Sequence, residues 1–240
     1  MSNSLLIYLN KRLKEENTLS KGNVLMAGPV ITISREVGCN GLKLANLIAK
    51  RLNAQRMVSE WKVLSKEVFY QSAKELDLEP EKVRRIFKQS DKYVFDEILK
   101  AFNNKQYKSE RRIIKTVSDV VRSFAVDGFS IIVGRAGHLI AKDIKCALHL
   151  RLVAPLEYRI NTIMENNGLN REEAKAFIKK VEQERISFRK AICEGKLVEE
   201  MFDITINRAS FTDDQILDII EYSFDKKKLL ERCQHKMEYY

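Results

Sequence analysis

Glycine and proline are scarce, 9 and 3 in 240 residues, too few for a collagen-like repeat or a long flexible linker. Long hydrophobic runs are missing as well. No apolar stretch approaches the ~18 residues that a membrane-crossing helix needs, so no membrane partner is expected. Residues 1–12 hold one short apolar run, Leu5-Leu6-Ile7, without a basic lead, and do not read as a secretory signal. The four cysteines, Cys39, Cys146, Cys193 and Cys233, are far apart and form no CxxC pair, which argues against a zinc ribbon or a redox couple. These absences point to a soluble cytoplasmic protein with reduced thiols. There is no RGG tract, zinc-finger spacing or aromatic–basic interleaving of the RNP kind, so nucleic acid is an alternative partner rather than the leading one.

What is present is an ordinary globular composition, 45% apolar and 32% charged, which argues against a disordered or fibrous chain. The 43 Lys and Arg exceed the 33 Asp and Glu and leave +10 with His neutral. That surplus suits anionic partners: nucleic acid, lipid or phosphorylated metabolites. Its densest run, Lys226-Lys227-Lys228, reads as a solvated helix face ahead of a docking patch.

Residues 2–18, rich in Leu, Lys and Glu, read as a first helix, and 1–28 as an N-terminal helical extension. Val30-Ile31-Thr32-Ile33-Ser34 is the β-branched run of a buried strand. Residues 41–52 follow at helical spacing, with Leu44, Leu47, Ile48 and Leu52 on one face. From about 60 to 127 the pattern is almost wholly helical. Pro80 opens a helix there, and Ile113, Ile114, Val117, Val120, Val121 and Phe124 form an amphipathic stripe suited to a core. Phe129-Ser130-Ile131-Ile132-Val133-Gly134 is a second buried strand, 136–142 a short helix, 146–153 a third strand, and Pro155 opens the next helix. Asn170, with Glu172 and Glu173 behind it, caps a long helix reaching about Ile192. A further strand at 203–207 and a final helix capped by Thr212-Asp213-Asp214 complete the pattern.

Short apolar strands alternating with helices imply βαβ units: an α/β protein whose parallel sheet is covered by helices on both faces. The helical run at 60–127 is too large for one crossover and reads as an inserted lobe. Residues 29–225 make up this domain, and 226–240 a basic tail. In such sheets ligands bind beyond the carboxyl ends of the strands.

After the first strand, Ser34-Arg35-Glu36-Val37-Gly38-Cys39-Asn40-Gly41-Leu42-Lys43 runs straight into a helix. A strand, a glycine-bearing loop and a helix N-terminus make an anion site. Glycines admit the backbone, amides point at a phosphate, and the helix dipole adds positive potential. A plain strand-to-helix turn would use glycine too. Arg135 stands at the next strand end, where an arginine can clamp a phosphate in two-pronged fashion or form a surface salt bridge. Arg159 lies one turn into the helix opened by Pro155. Arg185 and Arg189 are four apart and share a helix face. Such a pair is either solvated and matched to acids or part of a lid that neutralises a transferring phosphoryl group. His138 reads as a satisfied histidine ahead of a ligand.

Taken in chain order, five segments resemble the cytidylate kinase-like family, a nucleoside monophosphate kinase branch of the P-loop NTPase superfamily. They are Ile31-Thr32-Ile33-Ser34-Arg35-Glu36-x-Gly38-x-x-Gly41, Ile132-Val133-Gly134-Arg135, Val153-Ala154-Pro155-Leu156-Glu157-x-Arg159-Ile160, Glu182-x-Glu184-Arg185 and Asp203-Ile204-x-Ile206-Asn207. The resemblance runs from about 30 to 224. It implies a three-layer P-loop NTPase-like parallel sheet, an inserted helical lobe over the acceptor, and an arginine-bearing lid at about 180–200. On that resemblance, Ser34, Arg35, Gly38, Cys39, Asn40 and Gly41 would hold the donor's phosphates, with Lys43 as a catalytic cation. Arg135 and Arg159 would hold the acceptor's phosphate, Arg185 and Arg189 would be the lid arginines, and Asn207 and Arg208 would lie near the donor's base. The donor would be ATP or GTP with Mg²⁺, and the partners nucleotide substrates; no protein metal ligand is assigned. Ser59, Glu60 and Trp61, expected just after a strand, can contact an acceptor, and Trp61 can equally be packing. A homodimer stays open, since the first helix can be a dimer contact or a cap on the sheet.

The loop also departs from the family. It reads Gly38-Cys39-Asn40-Gly41-Leu42 where Gly-Ser-Gly-Gly-Arg is common, and Gly41 stands where a full Walker A loop has Lys. Val133 and Ala136 flank Gly134-Arg135 where cytidylate kinases carry carboxylates. Asn40 suits the left-handed backbone such a loop needs. Three readings follow: an active nucleotide kinase-type phosphotransferase, a nucleotide-binding module without turnover, and a basic nucleic-acid-binding protein. The third would show steep salt dependence and no nucleotide dependence.

Overall fold

A run such as Val30-Ile31-Thr32-Ile33 is fully buried only in the middle of a sheet covered on both sides, and there the computed structural model places it. The structure describes residues 27–55, 59–65, 110–195 and 199–230. In chain order these form β1 (Val30–Arg35), α1 (Gly41–Ala54), β2 (Lys62–Leu64), α2 (Glu110–Asp127), β3 (Ser130–Val133), α3 (Gly137–Ile140), β4 (Ala147–Val153), α4 (Leu156–Asn167), α5 (Arg171–Ile192), β5 (Ile204–Asn207) and α6 (Asp213–Lys226). The first helix expected at 2–18, the helix expected from Pro80 and the end of the basic tail lie outside the described residues.

The five strands are parallel and ordered β2-β3-β1-β4-β5. β1 pairs with β3 from Val30↔Ser130 to Ile33↔Val133, and with β4 from Val30↔Ala147 to Arg35↔Leu152. On one face Ile31, Ile33, Leu148, Leu150 and Leu152 meet Leu44 and Ile48 of α1 and Ile216, Ile220 and Phe224 of α6. On the other, Val30 and Ile132 meet Val117, Val121 and Phe124 of α2, together with Phe188 of α5. A third cluster joins Val37 to Ile160 and Ile163 of α4 and Ala174 and Ile178 of α5. This is the three-layer α/β arrangement of the P-loop NTPase-like kind that the family resemblance implies.

The two long late helices begin as their sequences require. Asn170 accepts from the Glu173 amide while the Glu173 carboxylate accepts from the Asn170 amide, and Thr212 and Gln215 repeat that reciprocal cap on α6. One element departs from the helical reading of 60–127. Lys62–Leu64 is an edge strand, β2, paired with β3 from Lys62↔Ser130 to Leu64↔Ile132. Three residues carry no periodicity of their own, so tertiary pairing decides their state. Ser59, Glu60 and Trp61 consequently precede a strand instead of following one. Trp61 is 2% exposed and lies edge-on to Phe129 and Phe224, so it is a core residue.

Candidate functional site

β1 delivers Arg35 to the carboxyl edge of the sheet, and the glycines around it leave room for its side chain. A Cβ on Gly41 would stand 3.2 Å from the Arg35 Cδ, and one on Gly134 would lie 2.0 Å from its Nη1. The guanidinium therefore lies across Gly134, the first residue beyond β3. Gly134, Arg135 and Ala136 all have left-handed backbone, with φ of 76°, 54° and 53°. For Arg135 and Ala136 that conformation costs on the order of 1–2 kcal/mol each, and such strain gathers at functional sites. It sets Arg135 beside Arg35. From α5, Arg185 completes the group and donates Nη1 to the Arg35 carbonyl at 2.7 Å.

Three guanidinium groups from three elements thus lie within electrostatic reach of one another. Burial and the charge of Arg185 pull Arg35 down to about 9. Burial, then Arg35 and Arg185, hold Arg135 well below the ordinary arginine range. Burial lowers Arg185, with Glu182 opposing. A guanidinium stays charged under physiological conditions, so these downward pulls mark cations that are poorly solvated first and, for Arg35 and Arg135, crowded by like charge second, a state that a bound anion would relieve. Arg35, Arg135 and Arg185 are each half-buried and so keep a path to solvent.

The loop after β1 is braced from beneath. Glu182 Oε1 accepts from the Val37 amide at 2.7 Å, and Glu36 Oε2 accepts from the Ala154 amide at 3.1 Å. Arg159 bridges these carboxylates, at 3.4 Å from Glu36 and 3.6 Å from Glu182, while its Nε donates to the Ala154 carbonyl at 3.1 Å. Gly38, at φ 93°, rides directly on Arg159, whose Cα and carbonyl oxygen would lie 2.8 Å from an added Cβ. Arg159 therefore stands under the loop as a strut. Asn40 has the left-handed φ of 48°, and its side-chain oxygen accepts from Asn166. α1 begins at Gly41 without a side-chain cap or an acid in its first turn. Ser34 is half-buried at the end of β1. Cys39 is buried, and burial followed by Glu36 pushes its thiol up to about 11, so it stays protonated near neutrality.

The other candidates are engaged by carboxylates or by their own turn, and of these Arg189 adjoins the arginine group through Arg185. Leu44, Ala45 and Ile48 face the core, which turns Lys43 outward; its ammonium pairs with Asp213 at 2.8 Å and its side chain is 65% exposed. The second Asp213 oxygen takes Arg208 Nη2 at 2.6 Å, and Lys43 and Arg208 together hold that carboxyl below its usual range. Arg208 is buried, its Nε and Nη1 make no hydrogen bond, and its charge reaches Cys39. Asn207 closes a turn by accepting from the Ala209 amide. Arg189 donates to Glu200 at 2.6 Å. Sequence reasoning names every one of these basic residues and misses the bracing roles of Glu36 and Glu182, although both stand inside the quoted segments. Asp213 and Glu200 carry no local signal of theirs.

Among the described residues no three His, Cys, Asp or Glu side chains converge as a metal requires. Glu36 and Glu182, the carboxylates under the loop, are engaged by amides and by Arg159. The described residues here do not fit a resident metal. No helix among the described residues is long and apolar enough to cross a membrane.

Comparison with known proteins covers the same stretch of the chain. The model of the cytidylate kinase-like family matches residues 30–210. An uncharacterized protein from Eubacterium ventriosum, solved by crystallography, superposes with a TM-score of 0.58 at 21% identity, over 82% of this chain and 98% of that one, a likeness of fold. A uronate isomerase from Corynebacterium glutamicum is 27% identical over 106 residues, 43% of this chain; the chain spans a fifth of that protein's length, 20%.

Proposed function

This chain belongs to the cytidylate kinase-like family, and from that premise we propose that it is a phosphotransferase that moves the terminal phosphoryl of ATP or GTP to a nucleoside monophosphate or similar small acceptor. The observation that carries the reading is the convergence of Arg35, Arg135 and Arg185 at the carboxyl edge of a parallel sheet. Three crowded cations suit a ligand with several negative charges, and phosphoryl transfer asks little of a protein beyond positioning and neutralisation. An oxygen of the acceptor's phosphate bonds to the donor's γ-phosphorus as the bond to the bridging oxygen breaks, and the nucleoside diphosphate leaves with that electron pair. Arg35 and Arg185 neutralise the donor's phosphates, Arg135 orients the acceptor's phosphate, and the loop at 36–41 offers backbone amides. Mg²⁺ arrives as part of the nucleotide substrate, held by phosphate and water.

The test is diphosphate formation by pure protein with Mg²⁺, ATP or GTP, and each common nucleoside monophosphate. Turnover that falls roughly 10²–10³-fold in Arg135→Ala, the usual loss when a charge-stabilising donor is removed, supports the reading and names the acceptor. No turnover with any acceptor overturns it. A second reading, a nucleotide-binding module without turnover, is favoured by Lys43, which is paired with Asp213 instead of facing the arginines. Nucleotides that raise the melting temperature without being converted would select it.

A further inference from the structure

Four residues ahead of β5, the Glu200 carboxylate is the meeting point of basic side chains from three elements. Arg189 of α5 donates Nε to one oxygen at 2.6 Å. The other oxygen lies 3.4 Å from His138 Nε2 on α3 and 3.9 Å from Arg151 Nη1 on β4. Phe202 flanks the group, with its ring centroid 4.6 Å from that of His138 and 5.4 Å from the Arg151 guanidinium carbon. Arg189 is one turn beyond Arg185 on the same face of α5, and its charge reaches Arg185. A fourth guanidinium thus adjoins the cluster of three, with its charge matched by a carboxylate of the same chain.

We propose that Glu200 is an internal counter-ion that holds Arg189 until a polyphosphate enters the arginine cluster, when Arg189 exchanges Glu200 for a phosphate oxygen. The inference rests on the phosphate-binding reading of Arg35, Arg135 and Arg185. Both ends of the exchange are provided for. Before binding, Arg189 does not add unmatched charge to a cluster already crowded. Afterwards Glu200 keeps the Arg151 guanidinium at 3.9 Å, so its release leaves it beside an opposite charge, which eases the usual obstacle to breaking a partly buried pair. Arg189 has an anionic partner in each state, which is what a two-position switch requires. Glu200 therefore sets the strength with which the lid helix answers its ligand.

The experiment is a calorimetric titration with inorganic triphosphate at fixed salt, on the native protein and on Glu200→Gln, Arg189→Gln and the double variant. Glu200→Gln is expected to bind roughly tenfold tighter, toward the low end of couplings between sites, and Arg189→Gln weaker than native. In the Arg189→Gln background, Glu200→Gln should change affinity by less than about twofold, the limit for independent effects. A gain that persists in that background would reduce Glu200 to a general field and overturn the inference. So would unchanged or weaker binding by a folded Glu200→Gln protein. Glu200→Asp, which keeps the charge and lengthens the contact, guards against loss of folding and should show a smaller gain than Gln; tighter binding than Gln would also count against the exchange. If the native protein binds no triphosphate, the cluster reading itself fails, a result distinct from the others.

Discussion

At the scale of single residues, Gly38 and Gly134 both have left-handed backbone, yet a methyl group would do different damage at each. At Gly38 it would meet the Arg159 backbone at 2.8 Å, and backbone does not step aside. Gly38→Ala is expected to cost about 2–4 kcal/mol, read from thermal or urea unfolding. At Gly134 the obstacle is the tip of the Arg35 side chain, which can swing away. Gly134→Ala should therefore cost only about 1–2 kcal/mol of stability, from the backbone conformation. It should cost more than that in triphosphate affinity, because the displaced guanidinium leaves the cluster. Arg35 and Lys43 divide in the same way. Arg35→Ala is expected to weaken nucleotide binding at least tenfold, the loss of a charged hydrogen-bonding group. Lys43→Ala removes a mostly exposed pair with Asp213 and should shift stability by under about 1 kcal/mol, with affinity nearly unchanged. An equal loss in both variants would place Lys43 on the phosphates after all.

At the scale of elements, the loop between β1 and α1 takes its shape from α4 and α5. Arg159→Met would leave Glu36 and Glu182 facing each other across the gap that the guanidinium fills. With those carboxylates partly exposed, the loss is expected near 2 kcal/mol, below that of a fully buried pair. Adding Glu182→Gln should restore part of it, and a double-mutant cycle by urea unfolding measures the coupling. Such bracing explains what a sequence can and cannot disclose. β1, β3, β4 and β5 are legible as short apolar runs, α5 and α6 by Asn170 and Thr212, and Arg35, Arg135 and Arg185 as basic residues placed at strand ends or on a helix face. Those signals are local. β2 is not legible, because Lys62-Val63-Leu64 becomes a strand only by pairing with β3. Neither is the union of Arg189 with Glu200 or of Lys43 with Asp213, since each depends on where another element comes to rest.

At the scale of the whole molecule, two histidines, His138 buried and His149 half-buried, give stability an acid limb. His138 is held neutral, lowered to about 4 mainly by burial, and His149, bonded to Thr32 at 2.7 Å, is lowered in the same sense. The unfolded chain takes up these protons near pH 6.5 and the folded protein does not, so stability falls as pH drops from about 6.5 toward 4. For His138 the loss is on the order of 2–3 kcal/mol. Urea midpoints at pH 7 and 4.5 should show it, and His138→Gln should flatten it; an unchanged slope would mean that His138 is protonated in the folded state. The sheet order has a further consequence, for synthesis on the ribosome. β1 is the middle strand, yet both its neighbours come about a hundred residues later, at 130–133 and 147–153. At bacterial or eukaryotic elongation rates that interval lasts roughly 5–20 s. Throughout it, Val30-Ile31-Thr32-Ile33 is a β-branched segment waiting for partners, a natural client for chaperones and the first place where a stalled nascent chain would aggregate.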